Sequence, residues 1–391
     1  MEKLRAVWTD EKKQNLDIPF ISVLLGFLVG ALVMLLSGHN PLAAYAALLK
    51  GAGLFGNIKR FGDTLLQMTT LILTGLSVAF AFRTGLFNIG AAGQMLMGGF
   101  VAVLLGVKLS LPKAIHLPLV IIAATLAGAM WAFLPGLLKA KYRINEVVTT
   151  IMMNWTAYWS VYYFVPTYIP GHFTTESIPI NPTASLRVRW LTDLFQGSYV
   201  NIGLFLAVAA ALTVWWILEK TVFGYELKTV GLNAKAAEYA GMRVNRNIIL
   251  AMMTAGALAG LAGATFYLGY TDNVKVGVLP AQGLDGIAVA LLGLNTPAGV
   301  VLAAFLFGFM NAGKLFMQSA TSVPNELVPI INAVVIFFAA TNLMLKAAWQ
   351  KLKRPSSQAE VRSDVGSTEE YRAAGSDVHD SAAGGRHGRT V

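Results

Sequence analysis

Apolar runs of about twenty residues recur along most of this chain, and they restrict its fold more than any other feature. Ile18 to Ser37 comes first. At 1.5 Å per residue such a run crosses a hydrocarbon core of about 30 Å. Only helices and closed barrels satisfy their backbone in lipid, and runs of this length are helical. Gly62–Arg83, Asn88–Val107, Leu117–Leu138, Asn145–Val165, Val200–Leu218, Ile248–Tyr270, Pro297–Met317 and Leu327–Leu345 follow the same pattern. Gly283–Gly293 is apolar but too short to span unless its flanks join it, and Pro41–Leu49 reads as an interfacial helix. The expected fold is therefore all-α and polytopic, with about ten transmembrane segments. The first run lacks a small-residue cleavage site and is followed by many more, so it reads as a span and not as a removable signal.

Charge orients these segments. Of the chain's residues 55% are hydrophobic and only 13% charged, against about 25% charged in soluble domains. The net charge of +10 could suggest nucleic acid. The cations, however, cluster in alternate connections, which is positive-inside bias and not a binding stripe. Residues 1–17, with Lys3, Arg5, Lys12 and Lys13, are expected in the cytoplasm, as is the polar tail 346–391, whose composition is that of a disordered segment. The membrane-spanning body then covers 18–345. A polar, proline-bearing connection, Pro166–Ser198, falls outside and is long enough to form a cap or docking surface. Segments two to five and seven to ten each pair a small-residue span with a glycine-broken short helix and two more spans, as an inverted repeat would.

The most charged interruption is Glu219–Asn247, and the basic excess places it inside. Within it, Asn233 can cap a helix over Ala234–Ala240 that Gly241 stops, with Ala236, Ala237 and Ala240 as a small-residue face suited to docking. Inside the apolar region, Gly85, Gly90 and Gly93 interrupt the helix pattern while Asn88 and Gln94 bring amides to membrane depth. Such a break is tolerated only where protein or a watery path satisfies it. Asn145 and Glu146 suit a helix start as cap and dipole partner, and Asn154 lies deeper with Thr149 and Thr150 nearby. Asp285 opens the short Gly283–Gly293 run, so a helix dipole accounts for it, although an ionisable group there is also a pathway candidate. Lys314 can snorkel and is given no role.

Four strings carry a family resemblance. Phe87–Gln94 (FNIGAAGQ) resembles the F-N-I-G-x-x-G-Q signature of permeases that import nucleosides and simple sugars through ABC systems. Asn145–Asn154 resembles that family's N/H-E-V-x-x-T-I-M-M-N motif, and Gly283–Gly293 its G-x-D-G-I-A-V-A-L-L-G motif. Gly231–Gly241 resembles the G-x-N-x-x-A-A-x-Y-A-G coupling segment of ABC-importer permeases. The likeness covers roughly 18–345 and looks most like the purine-nucleoside subgroup of this branched-chain-amino-acid-like family.

The resemblance implies a multi-pass cytoplasmic-membrane subunit working by alternating access. Its implied partners are a second permease, ABC ATPase chains that bind ATP-Mg, an extracellular lipoprotein or periplasmic binding protein, a nucleoside cargo and the bilayer. It implies a pathway past Asn88, Gln94, Thr149, Thr150, Asn154 and Asp285, and ATPase coupling through Gly231, Asn233, Ala236, Ala237, Tyr239 and Gly241. The chain itself has no cysteine, no G-x-x-x-x-G-K-[ST], H-E-x-x-H or G-x-S-x-G string, and five scattered histidines, so neither a catalytic set nor a metal site is expected. Three alternatives stand beside this: a pentose or simple-sugar permease, an ion-coupled transporter using Glu146 and Asp285, and a membrane scaffold.

Overall fold

A computed structural model describes residues 11–324 and 326–341. The expectations for 1–10, for the tail and for the last residues of the tenth segment lie outside the described residues. Fourteen α-helices form among the described residues: α1 Glu11–Leu36, α2 Pro41–Gly51, α3 Ile58–Arg83, α4 Ala91–Lys108, α5 Lys113–Tyr142, α6 Glu146–Tyr168, α7 Arg189–Leu194, α8 Gly203–Lys220, α9 Val222–Leu232, α10 Ala234–Tyr239, α11 Val244–Phe266, α12 Ala281–Leu292, α13 Pro297–Thr321 and α14 Leu327–Ala340. Seven of them, α1, α3, α4, α5, α8, α11 and α13, are long and apolar enough to cross a membrane; α11 is lengthened here by a π-helical turn, Tyr267–Thr271. Helix α6 has 23 residues but is richer in polar and aromatic side chains, and α12 and α14 are short apolar helices. These are the ten stretches expected from the sequence, and the protein is an all-α, multi-pass membrane protein.

Three helices sit at the centre. Buried residues make up 78% of the most apolar window of α3, 67% of that of α4 and 61% of that of α11, against 22% for α1, whose Phe20, Leu24, Leu28 and Leu32 face outward. Partners are exchanged between the two halves of the chain. Helix α11 packs on α4 and α5 of the first half, α3 packs on α12 and α13 of the second, and α3 and α11 pack on each other. That reciprocity gives α3 and α11 equivalent places in the two halves.

Glycine makes these contacts possible. Lipid gives apolar helices no reason to associate, so close backbone approach supplies the attraction. A Cβ on Gly256 would overlap the Gly128 carbonyl oxygen of α5, and one on Gly260 would overlap that of Ala124. On its other side Gly260 meets Gly98 of α4, while Gly263 meets the Met95 carbonyl. Thus the AGALAGLAGA stretch is an inner surface, as its composition suggests. The expected interfacial helix α2, capped by Asn40, is packed through Leu48 and Gly51 onto Gly313 of α13.

The connection between α6 and α8 is a stitched cap and not a free loop. Ser177 N donates to Val274 O at 3.0 Å, Val276 N to Thr175 O at 2.8 Å, and Leu186 N to Leu268 O at 3.0 Å. Arg187 binds the carbonyls of Gly269 and Tyr270 at 3.0 and 2.6 Å and pairs with Asp272 at 3.0 Å. Burial lifts the Asp272 carboxyl above its ordinary range, and the Arg187 guanidinium partly offsets that. At the opposite end one expectation needs correction. Val222–Leu232 is a helix and not open loop: Thr221 caps it through the Gly224 N–H, and Leu227 and Val230 are buried.

Gly256→Val and Gly260→Val should each destabilise the bundle by about 1–3 kcal/mol or more through overpacking. Ala209→Val, on the exposed side of α8, should be neutral. Size-exclusion profiles and melting midpoints of the detergent-purified chains test the difference.

Candidate functional site

The break between α3 and α4 is closed by amides. Helix α3 ends in a Schellman turn, with Leu86 N donating to Ala81 O and Gly85 N to Phe82 O, and Gly85 sits at φ +73°. The chain then runs irregularly to Gly90, where α4 begins without a capping side chain. Asn88 and Gln94, both buried, bind each other reciprocally: Asn88 Nδ2 donates to Gln94 Oε1 at 3.0 Å and Gln94 Nε2 to Asn88 Oδ1 at 3.1 Å. Asn88 Oδ1 also accepts the Gly90 N–H at 3.0 Å. From α6, Asn154 completes the set, accepting the Gly93 N–H at 2.8 Å and donating to Ile89 O at 3.0 Å. A Cβ on Gly93 would come within 2.8 Å of the Asn154 backbone, so this glycine allows the approach.

Three of the six residues assigned to the pathway are therefore brought together, and their principal polar atoms are spent on one another and on the broken backbone. Thr150 is buried against Gly90, with its hydroxyl bonded to Glu146 O at 2.7 Å. Thr149 is half-buried and bonds the carbonyls of Asn145 and Glu146. Asn145 caps α6 as expected, through the Val147 N–H at 2.8 Å, and Glu146 is paired with Lys139 at 2.7 Å.

Asp285 lies apart from this network. It is half-buried in the second turn of α12, which has no acidic residue in its first turn, so the helix-dipole account does not apply to it. The opposing charge that acts on it is that of Lys314 of α13, to which the sequence assigns no role. Spacing could not reveal that influence, because only helix packing brings the two residues into range. Among the described residues no cluster of three His, Cys, Asp or Glu could hold a metal ion.

The second site is the short helix α10. Asn233 Oδ1 accepts from the Lys235 and Ala236 N–H groups, each at 3.1 Å. Gly241, at φ +81°, ends the helix with Gly241 N bonded to Glu238 O and Met242 N to Ala237 O, a second Schellman turn. The expected small-residue face is divided, however. Ala237 is fully buried within this chain, whereas Ala236 and Ala240 are exposed. Tyr239 is 94% exposed and Leu232, the last residue of α9, 89%, which makes them the large apolar groups presented outward here. Gly231 belongs to α9 and is pressed against the last turn of α3.

Comparison with known proteins follows this geometry closely. The family model described as branched-chain amino acid transport system / permease component matches residues 61–340, from the start of α3 to the end of α14. The chain is 44% identical to the guanosine ABC transporter permease protein NupP of Bacillus subtilis, over 88% of this chain and 98% of that one. It is 38% identical to the nucleoside ABC transporter permease protein NupB of Lactococcus lactis, over 88% and 96%. A glucose ABC transporter permease protein of Haloferax volcanii, TsgB13, is 32% identical over 84% and 88%. The first two organisms each hold a further similar permease, NupQ and NupC, both 27% identical to this chain.

Asn88→Leu or Gln94→Leu alone should cost about 1–3 kcal/mol by stranding the buried partner. The double variant should cost less than the sum of the two, by about 0.5–3 kcal/mol. Melting of the four purified chains measures this coupling.

Proposed function

This chain belongs to the branched-chain amino acid transport system / permease component family and is a membrane transport subunit, not an enzyme; we propose that it carries purine nucleosides inward as one half of an ATP-driven importer. The observation that supports this reading most is the 44% identity, over nearly the whole of both chains, to a permease named for guanosine. The glucose permease, at 32%, is a more distant relative.

In this proposal the second half of the pathway is a paralogous permease, as the paired relatives suggest. Separate ATPase chains bind ATP-Mg, and an extracellular binding protein delivers cargo. Helix α10 is the contact for the ATPase, with Tyr239 and Leu232 at its surface and the Asn233 cap and Gly241 stop fixing its length. Ala236 lies on the open side of that contact, while Ala237 and Gly231 hold the element against its own chain. ATP-driven closure of the ATPases moves α10 and re-gates the pathway.

Cargo passes beside the broken α3–α4 connection and α12. A nucleoside offers a flat base, ring acceptors and a polyhydroxylated ribose, so its path needs amides and hydroxyls in an apolar wall. Asn88, Gln94, Thr149, Thr150, Asn154 and Asp285 stand beside that path: the three amides hold the broken backbone that shapes it, and Asp285 is the half-buried group outside their network. Both chain termini, with residues 1–17 and 346–391, lie in the cytoplasm, and the cap formed by residues 169–202 lies outside.

Uptake of radiolabelled guanosine by cells carrying the intact transporter should be inhibited more strongly by unlabelled guanosine or adenosine than by equimolar ribose. Equal inhibition by ribose would transfer the assignment to simple sugars. Orientation has an equally direct check because the chain has no native cysteine. In intact cells an impermeant maleimide should label Thr174→Cys, an exposed position on the cap, but not the equally exposed Ala234→Cys. The reverse pattern would invert the topology.

A further inference from the structure

Three separate contacts converge on the short turn at the end of α3. The first comes from α9. Gly231 lies two residues before the cap of α10, and a Cβ placed on it would sit 2.5 Å from Arg83 O and 2.9 Å from the Thr84 carbonyl carbon. From the other side, a Cβ on Gly85 would lie 3.1 Å from Gly231 O. Backbone touches backbone here, with no side chain between to yield. A rigid contact of this kind passes on displacement instead of absorbing it.

The second contact is made by the Arg83 side chain. Its Nε donates at 2.9 Å to the carbonyl oxygen of Asn295, 212 residues further along the chain. Asn295 is in the turn joining α12 to α13, where Leu294 and Asn295 both stand at φ +53°. Left-handed backbone is costly for a branched apolar side chain such as Leu294 and persists only where the surroundings impose it. The Asn295 Oδ1 atom is buried there without a hydrogen-bond partner. The third contact is covalent. Four residues past Thr84 the chain enters the Asn88–Gln94–Asn154 network, which ties the start of α4 to α6.

We propose that the turn Arg83–Gly85 is the joint through which movement of α10 reaches both halves of the membrane domain, with Arg83, Gly85 and Gly231 as its positioning residues. Gly231 delivers the displacement. Arg83 carries it to the strained α12–α13 turn of the second half, and the continuous chain carries it to α4 and α6 of the first. Arg83 is half-buried and its side chain is bonded to the α12–α13 turn, so it acts on coupling and not on docking. This inference rests on the reading of α10 as the ATPase contact, and the experiment separates the two.

The assembled transporter, purified in mild detergent and then placed in proteoliposomes, is compared as wild type, Arg83→Met, Arg83→Lys and Tyr239→Ala. Three quantities are read: ATPase retained on purification, ATP hydrolysed, and guanosine taken up per ATP. For Arg83→Met the ATPase should remain bound and basal hydrolysis should be unchanged. Uptake per ATP should fall about tenfold, as the loss of one charge-assisted bond allows. Arg83→Lys, which keeps a charged donor, should recover part of that uptake, whereas Tyr239→Ala should release the ATPase. Release of the ATPase by Arg83→Met from an otherwise intact subunit would make Arg83 a docking residue and overturn the joint. Normal uptake per ATP in Arg83→Met beside a defective Tyr239→Ala would also overturn the joint while leaving the role of α10 intact. Wild-type behaviour in both would remove the coupling reading itself. Should Arg83→Met fail to assemble, Arg83→Lys decides: reduced uptake per ATP supports the joint, and wild-type uptake overturns it.

Discussion

Backbone freed between two packed helices and buried from water must find hydrogen-bond partners within the protein. In this chain that demand falls on the stretch from Thr84 to Gly90, and Asn88, Gln94 and Asn154 meet it. Each additional bond constrains another element. Because Asn154 binds both Gly93 N and Ile89 O, α6 must lie against the start of α4. Because α4 starts there, Gly98 and Gly99 reach the level of Gly260 and Gly263 on α11. The close glycine packing at the centre therefore depends on a polar solution at one end.

The same dependence explains what could be read from the sequence. Apolar run lengths place ten helical stretches correctly, since the bilayer permits little else. Asn145, Asn233 and Gly241 occupy the capping positions expected of them, because capping depends on residues two to four positions away. Val222–Leu232 could not be read in that way. Two glycines and two charges resemble a loop, and the helix is held by burial of Leu227 and Val230 and by the Asn247–Glu226 bond at 2.8 Å, all tertiary facts. Asp285 with Lys314, and Arg83 with Asn295, are likewise invisible until α12 and α13 are packed. The inward turn of Ala237 depends on helix rotation, which three alanines among six residues do not specify.

The two ends of the bundle are built differently, and that difference indicates where it can move. At the end bearing residues 169–202, backbone hydrogen bonds run in series from Thr175 to Leu186 against the 268–276 segment, reinforced by Arg187 and by His116 on Thr183 at 2.8 Å. Shifting that cap would break several bonds at once. At the end bearing α9 and α10, the contact with α3 is a glycine backbone, and the side-chain ties to the second half are the Arg83 bond to Asn295 and the Asn247 bond to Glu226. Few bonds must exchange there for α9 and α10 to slide against α3, while the packed backbones still transmit a push. A transporter must hold one side together while the other opens, and in this chain the sparse bonding lies beside the element through which force would enter.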